Sequence, residues 1–106
     1  MEVFYYLLPS GTNPVRRYID SLPFDEAAEI DAVLAYIQQS GLDTFVDHRQ
    51  VKGKLWELRP NQHRVFYVLR KGPEMVLLHA YKKEGQKAPK REIKVALKRL
   101  KEVTDG

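Results

Sequence analysis

Apolar and polar residues alternate in several parts of the chain, which is the spacing typical of β-strands. The first of these segments is rich in aromatic residues and ends in turn formers from Pro9 to Asn13. Three more lie close together in the second half and are separated by the turn-forming stretches 60–63 and 71–73, so they predict two successive antiparallel hairpins. The predicted strands are Glu2–Leu8, Leu55–Arg59, Arg64–Arg70 and Glu74–Lys82.

Apolar residues recur at helical spacing in three other segments. A short helix is predicted after Asn13, a helix-capping residue that is followed by proline at the first helical position. A second helix restarts at Pro23 and ends before Gly41, and a third opens at Ala88-Pro89. The segment Asp43–Lys52 has no clear period and is predicted to be a connection with room for one short helical turn.

This order of elements, β-α-α-β-β-β-α, predicts an α+β fold. We expect an antiparallel sheet with the helices packed on one face and the other face open. The chain has 106 residues and is predicted to form one domain, residues 1–106. It has no apolar run of the roughly 20 residues that a membrane span needs, and no leader pattern, so we expect a cytoplasmic protein with no membrane partner.

The two halves of the chain differ strongly in charge. Residues 1–47 contain two basic and eight acidic residues, a net charge of −6, whereas residues 48–106 contain sixteen basic and six acidic residues, a net charge of +10. A basic surface of this kind suits a polyanion, and nucleic acid is the most plausible one. The chain has no cysteine, and its three histidines lack metal-ligand spacing, so we expect no metal and no cofactor.

Strand alternation sorts the residues of the middle strands between the two faces. If Trp56 and Tyr67 face the core, then Glu57, Arg59 and Arg64 share the open face. The ordinary interpretation is a surface ion pair between Glu57 and an arginine. The functional interpretation is that Arg59 and Arg64 converge on a phosphate through bidentate hydrogen bonds.

A second group of polar residues lies where the last strand runs into the basic helix. Each of these residues alone is more often a solvated bystander. Together they provide what RNA cleavage without metal needs: a proton acceptor for the ribose 2′-OH, cations for the charged phosphorane, and an acid for the leaving 5′ oxygen. The catalytic candidates are Arg59, Arg64, His79, Tyr81 and Lys82, and the RNA-binding candidates are Lys54, Phe66, Lys83 and Lys87, with Phe66 stacking on a base.

Three stretches of the sequence resemble the RelE/ParE toxin superfamily of toxin-antitoxin systems, and specifically its HigB-like, phage-associated branch. They are KLWELR (54–59), HRVFYVL (63–69) and LLHAYKKEGQKAPKREIKVALKRL (77–100), with support from PVRRYIDSLP (14–23). The last stretch contains a lysine pair, a Gln-Lys-x-Pro turn and an ExxxA helix, which make it the most specific of the three.

The resemblance implies a RelE-like fold and an endoribonuclease that cuts messenger RNA in the ribosomal A site. It also implies an antitoxin partner, often of the helix-turn-helix type. In that case the toxin contacts operator DNA only indirectly, through its complex with the antitoxin. By position, Arg59 and Arg64 match the arginines that hold the scissile phosphate, and the strand end at residues 79–83 matches the region that supplies further catalytic groups. The proton-transfer residue stays open between His79 and Tyr81.

Two alternatives remain at this point. One is a ParE-like inhibitor that poisons DNA gyrase by binding, without nuclease chemistry, and the other is a catalytically inactive RNA-binding module. The sheet arginines and the pair Lys82-Lys83 favour the nuclease, but a shared fold does not decide function.

Overall fold

The computed structural model describes residues 1–86 and 89–105. It confirms the α+β class and adds one strand to the predicted order. The elements are β1 (Glu2–Tyr5), α1 (Pro14–Asp20), α2 (Phe24–Ser40), β2 (His48–Lys52), β3 (Leu55–Leu58), β4 (His63–Arg70), β5 (Glu74–Lys82) and α3 (Lys90–Asp105). The extra strand is β2, which lies in the segment that was predicted to be a connection.

The helix ends follow the local chemistry that the sequence predicts. The side chain of Asn13 accepts a hydrogen bond from the Arg16 backbone N–H at 3.0 Å, and Pro14 occupies the first helical position of α1. Gly41 ends α2 with a φ of 76°, a left-handed conformation that favours glycine, and its N–H donates to the Ile37 carbonyl. The last helix begins at Lys90, just after Pro89.

The five strands form one sheet in the order β1-β5-β4-β3-β2. Strands β2 to β5 are antiparallel neighbours, as predicted for the two hairpins, while β1 pairs in parallel with β5. A β-bulge in β5 pairs Phe66 with His79 and the next residue, Tyr67, with Leu77, so that Leu78 is the extra residue. This bulge changes which side chains of β5 face each helix layer.

Helices cover both faces of the sheet. One core contains Val15 and Ile19 of α1 and Ile30, Leu34 and Ile37 of α2, packed on strand residues that include Val65 and Tyr67. On the other face, Ala96 of α3 is fully buried against residues of β3, β4 and β5, and its neighbours Ile93, Leu97, Leu100 and Val103 are partly buried there. The prediction that all helices share one face and leave the other open is therefore wrong.

The charge asymmetry of the sequence becomes a separation between the two helix layers. Exposed acidic residues, among them Asp20, Asp25 and Glu29, lie on α1 and α2. The outer surface of α3, on the opposite side of the sheet, carries exposed cations: Lys90, Arg91, Lys94, Lys98 and Lys101. The basic surface is thus the outside of a helix and not an open sheet face. Among the helices that the structure describes, none is long and apolar enough to cross a membrane.

Candidate active site

Arg64 and Tyr81 are direct partners across β4 and β5, on the sheet face that α3 covers. Both are nearly buried, with 7% and 5% of their surfaces exposed. The Arg64 Nη1 donates hydrogen bonds of 2.8 Å to the backbone carbonyls of Asn61 and His63. Arg64 therefore also fastens the β3–β4 hairpin, and the expectation that it lies on an open face is wrong.

Tyr81 is in an environment that keeps its phenol protonated. Burial raises the pKa of Tyr81, and the Glu57 carboxylate raises it further, while the nearby Arg64 lowers it. The direction of the shift disfavours Tyr81 as a base at neutral pH. A protonated phenol beside an arginine is instead suited to donate a proton to a leaving oxygen.

Phe66 supports this cluster from within the core. It is fully buried, and its ring stacks with that of Tyr81 at a centroid distance of 5.5 Å and with that of His79 at 6.3 Å. The prediction that Phe66 stacks on a nucleic-acid base is wrong, because no face of its ring is exposed. Its position does fix the orientation of the two candidate catalytic rings.

His79 faces α3 because of the bulge at Leu78, without which strict alternation would turn it to the other face. Its Nε2 lies 2.7 Å from the Glu92 Oε1, and its Nδ1 lies 3.3 Å from the Arg99 Nη1. Because Arg99 can only donate, Nδ1 is the acceptor, and the ring proton on Nε2 is donated to Glu92. A histidine that a carboxylate orients in this way is suited to act as a general base.

Glu57 forms the ion pair that the ordinary interpretation predicted, but with an arginine that sequence reasoning had not selected. Its carboxylate accepts a hydrogen bond of 3.0 Å from the Arg49 Nε on the neighbouring strand β2. Glu57 is 1% exposed, so this is a buried carboxylate and not a surface pair. Arg49 was missed because it lies in the segment with no recognisable period.

Arg59 and Arg64 have different surroundings. Arg59 follows the end of β3, and its backbone N–H donates to the Asp47 carbonyl at 3.0 Å. With Tyr36, Phe45 and other residues of α2 and the following loop, it lines a cavity of about 180 Å³. Its Nε is buried and, among the residues that the structure describes, has no hydrogen-bond partner. No hydrogen bond in that part of the chain links Arg59 to the Tyr81 cluster.

The lysine candidates are spread over the molecule. Lys82 is exposed and pairs with His63, whose side chain bonds to α1 and α2, so alternation directs Lys82 away from the Tyr81 face. Lys83 is half-buried, and its N–H donates to the Gln62 carbonyl. Lys87 lies outside the described residues.

Lys54 lies far from the catalytic candidates. It occupies the turn between β2 and β3 and shares a surface cavity with Leu69, Lys71 and Val103. Leu69 is five residues beyond Arg64 on β4, which corresponds to roughly 17 Å along a strand. Lys54 is therefore at the opposite end of the sheet from Arg64 and Tyr81.

A buried histidine, His63, connects the other helix layer to the sheet. His63 is 2% exposed, its Nδ1 lies 2.7 Å from the Tyr18 hydroxyl, and its Nε2 lies 2.8 Å from the Glu26 Oε1. Burial raises the pKa of Tyr18 to about 12, so its hydroxyl remains protonated at neutral pH. This network ties α1 and α2 to the start of β4. Across residues 1–86 and 89–105, no group of three or more His, Asp or Glu side chains is placed to hold a metal ion.

Comparison with known proteins gives one family. Residues 17–101, most of the chain, match the model of the family described as Phage derived protein Gp49-like (DUF891). None of the curated proteins matches the sequence. The family is RelE-like and often toxin-like in toxin-antitoxin contexts, which agrees with the predicted kinship at the level of the superfamily. The chain belongs to the phage-derived, Gp49-like protein family.

Proposed function

We propose that the protein is the toxin of a type II toxin-antitoxin system and acts as a ribosome-dependent endoribonuclease on messenger RNA. The observation that carries this proposal is the joint placement of Arg64, Tyr81 and the His79–Glu92 pair on one face of the sheet. These groups supply a cation, a proton donor and an oriented proton acceptor within one cluster. Membership in a toxin-like family supports the same function.

The proposed reaction is an attack of the ribose 2′ oxygen on the adjacent phosphorus. The His79 Nδ1 takes the proton from the 2′-OH after its long 3.3 Å contact with Arg99 opens, and Glu92 stabilises the imidazolium that forms. The new bond joins phosphorus to O2′, and the bond from phosphorus to O5′ breaks. Arg64 stabilises the charged phosphorane, and Tyr81 gives its proton to O5′. The products are a 2′,3′-cyclic phosphate and a free 5′-hydroxyl.

Binding of the substrate is assigned to the exposed cations of α3. This helix carries Lys90, Arg91 and Lys94 near the end where Glu92 contacts His79, so RNA phosphates held there lie beside the cluster. The low exposure of Arg64 and Tyr81 means that bound RNA must displace neighbouring side chains to reach them.

We further propose that an antitoxin, expected to contain a helix-turn-helix domain, neutralises the toxin by covering this basic surface. An acidic or helical segment is complementary to the outer face of α3. Contact with operator DNA occurs through the antitoxin in the complex, which then regulates its own operon. The family's frequent occurrence in toxin-antitoxin contexts supports this partner.

The test is primer extension on a reporter message after brief induction of the toxin. Wild type is compared with Arg64→Lys, which keeps the positive charge but removes the fork of donors, and with the matched control Arg17→Lys, an exposed arginine of α1. We expect cuts within translated codons for wild type and the control, and a loss of roughly 100-fold or more for Arg64→Lys.

Growth arrest with an intact message would refute the nuclease. Arrest accompanied by gyrase-linked DNA breaks would support the ParE-like alternative in its place. An intact message together with normal growth, from a protein that still binds ribosomes, would support the inactive RNA-binding module.

A further inference from the structure

Arg49 has the geometry of an arginine that is held ready for an anion. It lies on the edge strand β2, and its side chain is 54% exposed. Within residues 1–86 and 89–105, the Arg49 side chain makes one hydrogen bond, which its Nε donates to the Glu57 Oε2 at 3.0 Å. This contact fixes the guanidinium plane from behind, while the outer nitrogens remain at the accessible end of the side chain.

The residue that holds Arg49 is unusual for a surface ion pair. Glu57 is 1% exposed, and its Oε1 is buried without a hydrogen-bond partner among the described residues. Burying an unpaired carboxylate destabilises the folded state. Because Arg49 is the charged partner of Glu57, displacement of the Arg49 side chain would leave that charge unpaired, and this holds Arg49 in place. A half-exposed arginine anchored by a buried carboxylate loses less conformational entropy on binding a ligand than a free surface arginine does.

The pair lies in the same row of the sheet as the proposed catalytic base. Arg49 is the register partner of Glu57, Glu57 is that of Phe66, and Phe66 is that of His79. The next row contains Val65 and Ala80, and the row after it, whose side chains lie on the same face as those of Phe66 and His79, contains Arg64 and Tyr81. Arg49 and Glu57 both act electrostatically on the Tyr81 phenol, which indicates that the three groups are close together.

We infer that Arg49, oriented by Glu57, is a binding site for an RNA backbone phosphate next to the one that is cleaved. The inference rests on the proposed function, since it assigns the phosphate to the RNA on which the toxin acts. A phosphodiester fits because it is a singly charged anion whose two non-bridging oxygens accept the parallel donors of an arginine. Glu57 is a positioning residue, because it acts through Arg49 and is too deeply buried to touch RNA.

The experiment measures binding of the full-length protein to ribosomes whose A-site message carries 2′-O-methyl groups and is not cut. The variants are Arg49→Gln, Glu57→Gln and the double variant, with Arg17→Gln as the control for loss of an exposed arginine. Arg49→Gln leaves Glu57 buried beside a neutral group, so the double variant, which removes both charges, guards against a loss of folding. Thermal unfolding of each variant identifies any that does not fold.

We expect Arg49→Gln to weaken binding by roughly tenfold and to lower the slope of log K against log salt by about 0.7, the value for one phosphate of a single strand. Glu57→Gln should weaken binding by a few-fold, although removal of a negative charge alone would strengthen it. The double variant should bind no more weakly than Arg49→Gln, because Glu57 acts only through Arg49. Arg17→Gln should bind like wild type.

Two further arms separate the possible results. With no message in the A site, the Arg49→Gln defect should disappear, which assigns the phosphate to the message. A defect that persists assigns the phosphate to ribosomal RNA and overturns the inference. Binding by folded Arg49→Gln with wild-type affinity and slope overturns the inference, as does tighter binding by Glu57→Gln. In either case, cutting by wild type on an unmodified message leaves the proposed function standing, whereas an uncut message refutes that function separately.

Discussion

Glu92, in the first turn of α3, accepts a hydrogen bond of 2.7 Å from the imidazole of His79 on β5. The contact joins the basic helix to the sheet and sets the tautomer of the histidine. It exists because a bulge at Leu78 turns His79 toward the helix. One local irregularity of a strand therefore orients the proposed base and ties it to a helix that carries five exposed cations.

Replacement of Glu92 by glutamine tests this relationship. The amide keeps the size of the side chain but removes the charge that stabilises the imidazolium, so the single-turnover rate of message cleavage should fall roughly 10- to 100-fold. Apparent affinity for the ribosome should change little. Glu84→Gln, at an exposed acidic residue between β5 and α3, is the control and should cut at the wild-type rate. If Glu92→Gln cut the message as fast as Glu84→Gln, the His79–Glu92 pair would have no role in the reaction.

Tyr81→Phe tests the proton donor. The ring can still stack on Phe66, so the fold should persist, but the leaving O5′ loses its acid and cleavage should slow by roughly 100-fold or more. A message with sulfur in place of the bridging O5′ should be cut by Tyr81→Phe almost as fast as by wild type, because a thiolate leaves without protonation. If the sulfur substitution gave no such rescue, Tyr81 would have some role other than the acid.

The pH dependence follows from the direction of the Tyr81 shift. Burial raises the pKa of this group above the ordinary value, so the acid form is fully present at neutral pH and is lost only as pH rises through the raised value. The wild-type cleavage rate should therefore show no decline due to Tyr81 between pH 7 and about 9. Single-turnover rates across this range measure it. A falling limb in this range that is present in wild type and absent in Tyr81→Phe would show that Tyr81 loses its proton too early, and would contradict the raised pKa.

Phe66→Ala distinguishes a core residue from a base-stacking one. Phe66 is fully buried on β4, so its truncation should lower the free energy of unfolding by about 3 to 5 kcal/mol. Phe45→Ala, at a ring that is 85% exposed, should change it by less than about 0.5 kcal/mol. Chemical denaturation of both variants gives the comparison. Wild-type stability in Phe66→Ala would show that the ring is not part of the core.

Charge removal at the two ends of the molecule tests where RNA binds. The double variant Lys94→Gln/Lys98→Gln on the outer face of α3 should weaken ribosome binding and lower its salt slope by about 0.7 for each phosphate that the helix no longer binds. Lys54→Gln/Lys71→Gln removes the same charge at the opposite end of the sheet and should have little effect. The reverse order of effects would support Lys54 as an RNA-binding residue and would contradict an interface on α3.

Much of the secondary structure was predictable because each element obeys a local rule. The capping by Asn13, the end of α2 at Gly41 and the alternation of Leu55–Leu58 all depend on neighbours in sequence. The parallel pairing of β1 with β5 joins residues about seventy positions apart, and no local pattern indicates it. The same holds for the Arg49–Glu57 pair, which depends on a strand whose only apolar residue is Val51.

The layer arrangement could have been predicted from a signal in β4. Residues Val65 to Leu69 form an unbroken apolar run, and Met75 to Leu78 in β5 form another, which is the pattern of strands buried on both faces. Strict alternation instead predicts that every second residue lies on an open face, which would place Phe66 and Arg64 in solvent. The direction of His79 depends on the bulge at Leu78, and no residue there marks a bulge in the sequence.

Analysis of cleavage products from a purified system tests the central claim most directly. Ribosomes carrying a defined message are incubated with wild type, Arg64→Lys or no protein, and a second message carries one 2′-deoxy nucleotide at the cut position. We predict fragments with 2′,3′-cyclic phosphate and 5′-hydroxyl ends from wild type on ribosomes, no fragment from the 2′-deoxy position, and almost none with Arg64→Lys. Cleavage that persists at the 2′-deoxy position, or a message that stays intact with active wild-type toxin, would contradict the account.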